Sequence, residues 1–276
     1  MATTDAGLNP LSEEAKQVLV KAFKQSEVHI EDENFRFFQG ALYGPPGCGK
    51  TSFSLKLANA INVGDDTQTW LFYGEKNSIR VLAEKKWEPL RKNLRTFPFP
   101  GINETAYLLN VAEANNRDQS KPKVGTVIID SFSSCGEMEM HSILKSAGHS
   151  RDHPEGYVLK DYGLILNRWK FLFGVASRAD INFILICHEQ DPDPEELKAG
   201  IKKKIYGTEK QANAAAQLLG NILYMQEREF KEGVGRVIRG KASALIEAKS
   251  SIDMPEREML DGAFMEHLQK WMRGEN

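Results

Sequence analysis

Short apolar runs alternate along the chain with segments of helical periodicity, and this alternation predicts an α/β fold. The predicted strands are rich in β-branched and aromatic residues and end in polar or turn-forming residues. In chain order they are Phe35–Tyr43, Thr69–Tyr73, Val124–Ile129, Ile181–Cys187, Ile222–Met225, Arg236–Ile238 and Ala244–Lys249. Helices between the early strands predict a mainly parallel central sheet flanked by helices, and the short late strands predict an antiparallel edge near the C-terminus.

The predicted helices have apolar residues at intervals of three and four. The most regular is Tyr162–Arg178, which places Ile165, Trp169, Leu172 and Ala176 on one face. The others are Leu11–Gln25, a helix after residue 51 with Phe53, Leu57 and Ile61 on one face, Asn77–Leu94 with a disturbance at Pro89, Asn103–Asn115 and Gly262–Met272.

Three stretches fit neither pattern. Phe97–Gly101 contains two prolines and cannot form the interior of a central strand. Phe132–Lys160 has weak periodicity and several glycines, so we expect part of it to be loop. Asp191–Gln217 is polar and is expected to leave the sheet as an excursion.

The N-terminal region is predicted to be an appendage covering residues 1–30. A flexible tail over residues 1–10 precedes the helix Leu11–Gln25, with Ser12 as its candidate N-cap. The apolar side of this helix, which includes Val18 and Ala22, either packs on its own domain or docks on a neighbouring subunit. Residues 31–276 are predicted to form the main domain.

Composition narrows the functional classes. Apolar residues make up 41% and charged residues 27% of the 276 residues, and the net charge is −2, so any nucleic-acid surface must be local. The three widely spaced cysteines form no disulfide framework, which suits a reducing compartment. No apolar run approaches 18 residues and Met1–Pro10 lacks a signal pattern, so we expect no membrane span and a cytoplasmic location.

A candidate nucleotide site lies between the first predicted strand and the helix after it. Gly44-Pro45-Pro46-Gly47-Cys48-Gly49-Lys50-Thr51 matches the phosphate-loop pattern G-x-x-x-x-G-K-[ST] at every required position. The glycines allow backbone N–H groups to face a phosphate, Lys50 reaches the β- and γ-phosphates, and the Thr51 hydroxyl binds Mg²⁺. We expect these residues and Ser52 to bind ATP. A chance match in a Gly/Pro-rich turn is disfavoured by the flanking strand and helix.

Two carboxylates are predicted beside this loop, because the carboxyl ends of parallel strands meet at one edge of a sheet. Asp130 ends the apolar run Val124–Ile129 and is the second expected Mg²⁺ ligand. Ser131 follows it, so the Asp-Glu pair with which many helicases and AAA+ ATPases polarise water is absent. Glu75, after the strand Thr69–Tyr73, is the candidate to activate water instead; the alternative is a surface glutamate in a loop.

Together these motifs resemble the RecA-like ATPase core over about Phe35 to Ile252, and in particular RecA-like nucleotide-binding proteins of bacteriophages related to single-strand annealing and recombination ATPases. The resemblance implies a Mg²⁺-dependent ATPase, located in the host cytoplasm if a phage encodes it, with Glu75 as the catalytic carboxylate. It also implies a polar γ-phosphate sensor at the end of the third core strand. His188 and Gln190 both fit that role, with His188 preferred by position.

The resemblance further implies a homo-oligomer with nucleotide at subunit interfaces. Lys249 is similar to the lysine of an Ala-Lys-x-Arg finger that acts on the neighbouring subunit's nucleotide, but Ser251 stands where that pattern has arginine. The second charge is therefore either lost or supplied by Arg239 or Arg257. Because an arginine finger contributes about 10³–10⁵ in rate, this departure weakens the expectation of fast hydrolysis.

Single-stranded DNA is the expected partner, and the Asp191–Gln217 excursion is the candidate contact. Five lysines and one glutamate lie between Lys198 and Lys210. Lys202, Lys203 and Lys204 are placed to contact phosphates, with Tyr206 to stack on a base. The alternative is a solvated loop, because four acidic residues precede the lysines.

Other interpretations are kept for comparison. Cys135, His141, His149 and His153 have no spacing typical of a zinc site. Alternative functions are a nucleotide-gated assembly protein with weak hydrolysis and a small-molecule P-loop kinase, although an arginine-rich lid typical of such kinases is absent from the sequence.

Overall fold

The structure is a computed structural model that describes residues 37–275, except 63, 65, 119, 147–158, 193, 199–202, 232, 245 and 257. The predicted N-terminal tail and helix therefore lie outside the described residues. The strands are β1 Gln39–Gly44, β2 Gln68–Tyr73, β3 Leu94–Pro98, β4 Val124–Asp130, β5 Asn182–Gln190, β6 Lys204–Ile205, β7 Asn221–Phe230, β8 Gly233–Arg239 and β9 Met259–Leu260. The helices are α1 Lys50–Ile61, α2 Lys76–Arg80, α3 Glu88–Arg91, α4 Ile102–Arg117, α5 Phe132–Ser146, α6 Leu159–Ala176, α7 Pro194–Lys198, α8 Glu209–Leu218 and α9 Asp261–Met272.

A nine-stranded sheet in the order β3-β2-β4-β5-β1-β7-β8-β9, with β6 added to the end of β5, forms the centre of the fold. Strands β3 to β7 along this order pair in parallel, whereas β8 and β9 are antiparallel. This confirms the predicted α/β fold with a mainly parallel sheet and an antiparallel C-terminal edge.

Both faces of the sheet are buried, because successive side chains of a strand point to opposite sides. On β5, Phe183 and Leu185 join the core under α4, α5, α6 and α8, while Ile184 and Ile186 join the core under α1 and α9. The two faces explain why the central strands are continuous apolar runs. The helices α1, α2, α4 and α5 follow the parallel strands β1 to β4, so each begins at the carboxyl edge of the sheet, where the site forms.

Several predicted elements are wrong. Asn77–Leu94 is not one helix: it contains α2, two 3₁₀ turns (Val81–Ala83 and Lys85–Trp87) and α3. Pro89 lies at the start of α3, where a missing N–H is tolerated. The chain then continues as β3, an edge strand that accommodates Pro98 and was not predicted.

The stretch Phe132–Lys160 is more helical than predicted, since α5 runs from Phe132 to Ser146. Its periodicity is weak because the buried face carries Glu139, whose carboxylate accepts a hydrogen bond from the Ile102 N–H at 3.0 Å and pairs with Arg168. A charged residue therefore occupies a core position, held by two partners.

The excursion Asp191–Gln217 also contains regular structure that was not predicted. Thr208 and Gln211 form a capping box at the start of α8, and alanines of this helix pack against the core. The predicted last strand Ala244–Lys249 is wrong as well, because the described residues of this segment form only isolated bridges, Lys203 with Ile246 and Ile222 with Lys249. No helix in the described part of the chain is long and apolar enough to cross a membrane.

Candidate functional site

The phosphate loop connects β1 to α1, and its backbone requires glycine at specific places. Gly47 and Gly49 have φ values of 79° and 86°, in the left-handed region that favours glycine. A Cβ atom on Gly44 would lie 1.9 Å from the Met225 carbonyl oxygen of β7. The loop is thus fixed from below by β7 and turns its backbone into an anion-binding curve at the start of α1.

Lys50 is folded onto this loop. The side chain is buried, and its Nζ donates hydrogen bonds to the carbonyl oxygens of Gly44 at 2.8 Å and Pro45 at 2.7 Å. These contacts place the ammonium inside the curve of the loop. Cys48 is also buried, with Sγ 3.6 Å from the Met225 oxygen, and burial raises the pKa of its thiol, so it packs beneath the loop.

Thr51 and Asp130 lie together as predicted. The Thr51 hydroxyl donates to the Asp130 carboxylate at 2.7 Å, and Asp130 is buried. A hydroxyl and a carboxylate oxygen at this separation are hard oxygen donors of the kind that Mg²⁺ prefers. The pair therefore fits the Mg²⁺ ion that accompanies a nucleoside triphosphate.

Glu75 reaches the same edge through the pairing of β2 with β4. Tyr73 is opposite Asp130 in the sheet, and the Gly74 N–H donates to the Asp130 carbonyl oxygen at 2.8 Å. A Cβ on Gly74 would lie 2.4 Å from Ser134 Oγ, so glycine allows β2 to end against the start of α5. The Glu75 side chain is exposed, and no described residue donates a hydrogen bond to its carboxylate.

His188 lies beside the phosphate loop, opposite Gly44 in the register of β5 with β1. Burial, followed by the nearby Lys50 ammonium, lowers the pKa of His188 against the opposing effect of the Asp130 and Glu75 carboxylates. Its buried Nδ1 has no hydrogen-bond partner among the described residues. The structure thus brings His188 into the electrostatic field of Lys50, Asp130 and Glu75.

Gln190 points elsewhere. It lines a pocket of about 430 Å³ at the carboxyl end of β5, between α5, α6 and the turn before α8. We call this the aromatic pocket; other side chains around it include those of Phe132, Met140, Tyr162, Trp169 and Tyr206. Of the two candidate γ-phosphate sensors, the geometry places only His188 next to the phosphate loop.

Arg236 is a residue of the site that the sequence did not indicate. It lies on β8, two strands from β1, and a Cβ on Gly49 would be 2.7 Å from its Nε and 2.9 Å from its Cζ. Its ion pairs with Glu227 and Asp261 are long, at 3.9 Å and 3.8 Å. No sequence motif marks this arginine, because its position depends on how the antiparallel hairpin β7–β8 folds over the loop.

Lys249 is not part of this cluster within one chain. Its backbone pairs with Ile222, and Ile222 is opposite Ala41, three residues before Gly44 and so roughly 10 Å from it along the strand. Ser251 donates to the Asn221 side chain at 3.3 Å, which fastens this segment to the start of β7. Arg239, a proposed substitute for the missing arginine, contacts the Glu258 carboxylate at 3.4 Å. Arg257 lies outside the described residues.

The lysines of the excursion differ from one another in environment. Lys202 lies outside the described residues. Lys203 pairs with Asp191 at 2.7 Å and Glu189 at 3.3 Å, and although burial opposes it, hydrogen bonding to these carboxylates raises the pKa of Lys203. Lys203 therefore fastens the excursion to β5. Lys204 pairs with Gln190 in the sheet, and Tyr206 is half exposed.

Among the residues that the structure describes, no three or more His, Cys, Asp or Glu side chains lie together in a way that could hold a metal ion, so the zinc interpretation gains no support. Cys135 is fully buried, and desolvation raises its pKa far above the usual value for a thiol. His141 is exposed on α5, whereas His149 and His153 lie outside the described residues.

Comparison with known proteins identifies the family of the chain. No curated protein shows significant similarity to the chain. A family model described as an AAA domain matches residues 36–252, which contain the phosphate loop, Glu75, Asp130 and His188. This match covers most of the chain and confirms a P-loop ATPase domain, while the RecA-like and phage assignments stay predictions. The chain belongs to this AAA-domain family of P-loop ATPases.

Proposed function

We propose that the protein is a Mg²⁺-dependent ATPase of the RecA-like type that acts on single-stranded DNA. The observation that supports hydrolysis best is the convergence of Lys50, the Thr51–Asp130 pair, His188 and Glu75 at one edge of the sheet. Cationic, metal-binding and carboxylate groups around one phosphate loop are the parts that phosphoryl transfer to water requires.

Each of these side chains has a separate role. The loop N–H groups and Lys50 hold the β- and γ-phosphates, and Lys50 exchanges its carbonyl contacts with Gly44 and Pro45 for phosphate oxygens. Thr51 and Asp130 hold Mg²⁺, which when bound neutralises charge on the phosphates. Glu75, exposed at the edge of the site, orients water and takes its proton. His188, neutral because of its lowered pKa, donates or accepts a hydrogen bond at the γ-phosphate.

The DNA part of the proposal is supported by the connection between the site and the excursion. The Tyr206 N–H donates to the His188 carbonyl oxygen at 2.8 Å, so the part of the excursion around Tyr206 lies beside the proposed sensor. Lys204 and Tyr206 supply a cation and an aromatic ring for a single strand. Lys203 has a supporting role because of its ion pairs. The resemblance places this activity in recombination, annealing or replication of a phage genome.

A second candidate is a nucleotide-gated assembly protein that hydrolyses ATP slowly. Ser251 favours it, because a serine bound to Asn221 occupies the position where the resemblance expects an arginine for the neighbouring subunit. In this case Lys249 contacts the neighbour's nucleotide at the interface of a homo-oligomer but supplies only one charge.

The test is the rate of ATP hydrolysis with and without single-stranded DNA. Lys50→Ala should abolish ATP binding and hydrolysis, whereas Lys56→Ala, an exposed lysine on the same helix, should leave both unchanged. Turnover that persists in Lys50→Ala would overturn the nucleotide assignment. Mass measurement with a non-hydrolysable ATP analogue separates the candidates: slow, DNA-independent turnover with an ATP-dependent change in oligomer size favours the assembly protein.

A further inference from the structure

We propose that the aromatic pocket binds one unstacked base of the single strand. This inference rests on the proposed function for the identity of the strand, but the pocket itself is a separate feature from the phosphate loop. Its volume of about 430 Å³ falls within the range of small-molecule sites. Four aromatic side chains contribute to its walls, those of Phe132, Tyr162, Trp169 and Tyr206.

The pocket contains an unsatisfied hydrogen-bond donor. Trp169 is completely buried, and its Nε1–H has no acceptor among the described residues. A buried indole N–H normally has a partner, because leaving it unpaired costs free energy. The neighbouring residue on α5 is Gly136, and a Cβ there would lie 3.8 Å from Nε1. Gly136 and Trp169 both line the aromatic pocket, and the absence of a side chain at Gly136 leaves room for a small group beside the indole nitrogen.

The same pocket also contains an unsatisfied hydrogen-bond acceptor. The Gln190 Oε1 atom is buried and has no donor among the residues that the structure describes. A ligand that accepts from Trp169 and donates to Gln190 would satisfy both groups. Nucleobases carry acceptors and donors on the edge of one planar ring system and present a face for stacking, so they match both the polar atoms and the walls.

Positively charged side chains lie near the pocket. Lys204 is directly opposite Gln190 in the antiparallel pair of β5 and β6, so the two side chains lie on the same face. Lys210 precedes the pocket residue Gln211 and is exposed. The lining includes one carboxylate, that of Glu137. Cations beside an aromatic cavity are what a phosphate backbone with an inserted base requires.

Short contacts connect this pocket to the nucleotide site. Ser133 lines the pocket, and its hydroxyl lies 3.2 Å from that of Ser131, the residue after Asp130. Gln190 is two residues from His188 on β5. A base in the pocket therefore contacts groups adjacent to both the proposed metal ligand and the proposed sensor, and we expect its binding to stimulate hydrolysis.

The decisive variant is Gly136→Ala. The new methyl group fills the space beside Trp169 Nε1 at an ordinary van der Waals distance, while alanine in a helix favours folding. Gly163→Ala on α6 is the matched control, because nothing lies within 4 Å of a Cβ there. Both variants should melt at or above the temperature of the wild type.

Binding is measured by fluorescence anisotropy at low salt, with a non-hydrolysable ATP analogue, for oligothymidylate and an abasic strand of equal length. Wild type and Gly163→Ala should bind oligothymidylate about tenfold more tightly than the abasic strand, given typical base-stacking energies. Gly136→Ala should lose most of this preference, keep its affinity for the abasic strand, and lose the stimulation of ATP turnover by oligothymidylate. Tyr206→Ala, at a half-exposed position, should also reduce the preference.

Three outcomes overturn the inference. Equal binding of both strands by the wild type, or an unchanged preference in Gly136→Ala, would show that the pocket holds no base while leaving the proposed ATPase on DNA intact. Failure of the wild type to bind either strand, with ATP hydrolysis retained, would overturn the DNA part of the proposed function as well. An aromatic side chain of a protein partner would then be the next candidate to occupy the aromatic pocket.

Discussion

Replacing Glu75 by glutamine tests the catalytic assignment without disturbing the fold. Glutamine keeps the shape of the side chain but cannot take a proton. Because Glu75 is exposed and no described residue donates a hydrogen bond to its carboxylate, the free energy of unfolding should change by less than about 0.5 kcal/mol. A positioned general base contributes about 10²–10⁴ in rate. Loss of that contribution raises the activation free energy by about 3–5 kcal/mol.

The assay measures steady-state phosphate release, ATP affinity and melting temperature for Glu75→Gln and for Glu266→Gln, an exposed glutamate on α9. We expect the rate to fall at least a hundredfold in Glu75→Gln alone, with ATP affinity and melting temperature close to wild type in both variants. If Glu75→Gln retains more than a tenth of the rate, the reasoning is refuted and another group must activate water.

Three further predictions concern Arg236, His188 and Glu139. Arg236→Ala should weaken ATP and ADP binding alike by about tenfold, because the guanidinium lies against Gly49, where we expect a charge-assisted contact with bound phosphates. Arg228→Ala is the control in calorimetry, and a loss of affinity confined to ATP would contradict this position. The pKa of His188 is lowered, so the folded state binds a proton less readily than the unfolded chain, and the free energy of unfolding decreases as the pH falls below 6.5. The melting temperature should therefore fall less between about pH 7.5 and about pH 5.5 in His188→Asn than in wild type, and equal decreases in the two proteins would refute this prediction. Glu139→Ala removes a buried ion pair with Arg168 and a hydrogen bond to the start of α4, so urea unfolding should show a decrease of about 2–4 kcal/mol in the free energy of unfolding. The exposed Glu137→Ala should show little change, and a decrease below about 1 kcal/mol in Glu139→Ala would contradict the role given to the ion pair.

The central strands and the phosphate loop are the parts of this fold that sequence reasoning predicts well. Strands buried on both faces are uninterrupted apolar runs, so β4 and β5 were placed within a few residues of their observed bounds. Once these strands are taken as parallel, their carboxyl ends must meet, and the proximity of Asp130 to Thr51 follows.

Elements whose stability depends on specific polar partners were predicted poorly. The helix α5 has Glu139 at a core position, and its apolar period is interrupted at the residue that binds Arg168. The helix α8 did carry a recognisable signal in the Thr208 and Gln211 capping box, which the polar character of its surroundings obscured. Arg236 could not be predicted at all, because its approach to Gly49 depends on the twist and length of a hairpin.

The carboxyl end of β5 directly connects the phosphate loop to the aromatic pocket. His188 is opposite Gly44 of the phosphate loop, and Gln190 lines the aromatic pocket. Between them, the Glu189 carboxylate accepts a hydrogen bond from the Tyr224 hydroxyl at 2.9 Å and pairs with Lys203. His188 and Gln190 are separated by roughly 7 Å of strand. The effect of a base in the aromatic pocket on ATP hydrolysis should therefore arise within a single subunit. The stimulation of turnover should be independent of protein concentration and should persist at dilutions at which any oligomer has dissociated.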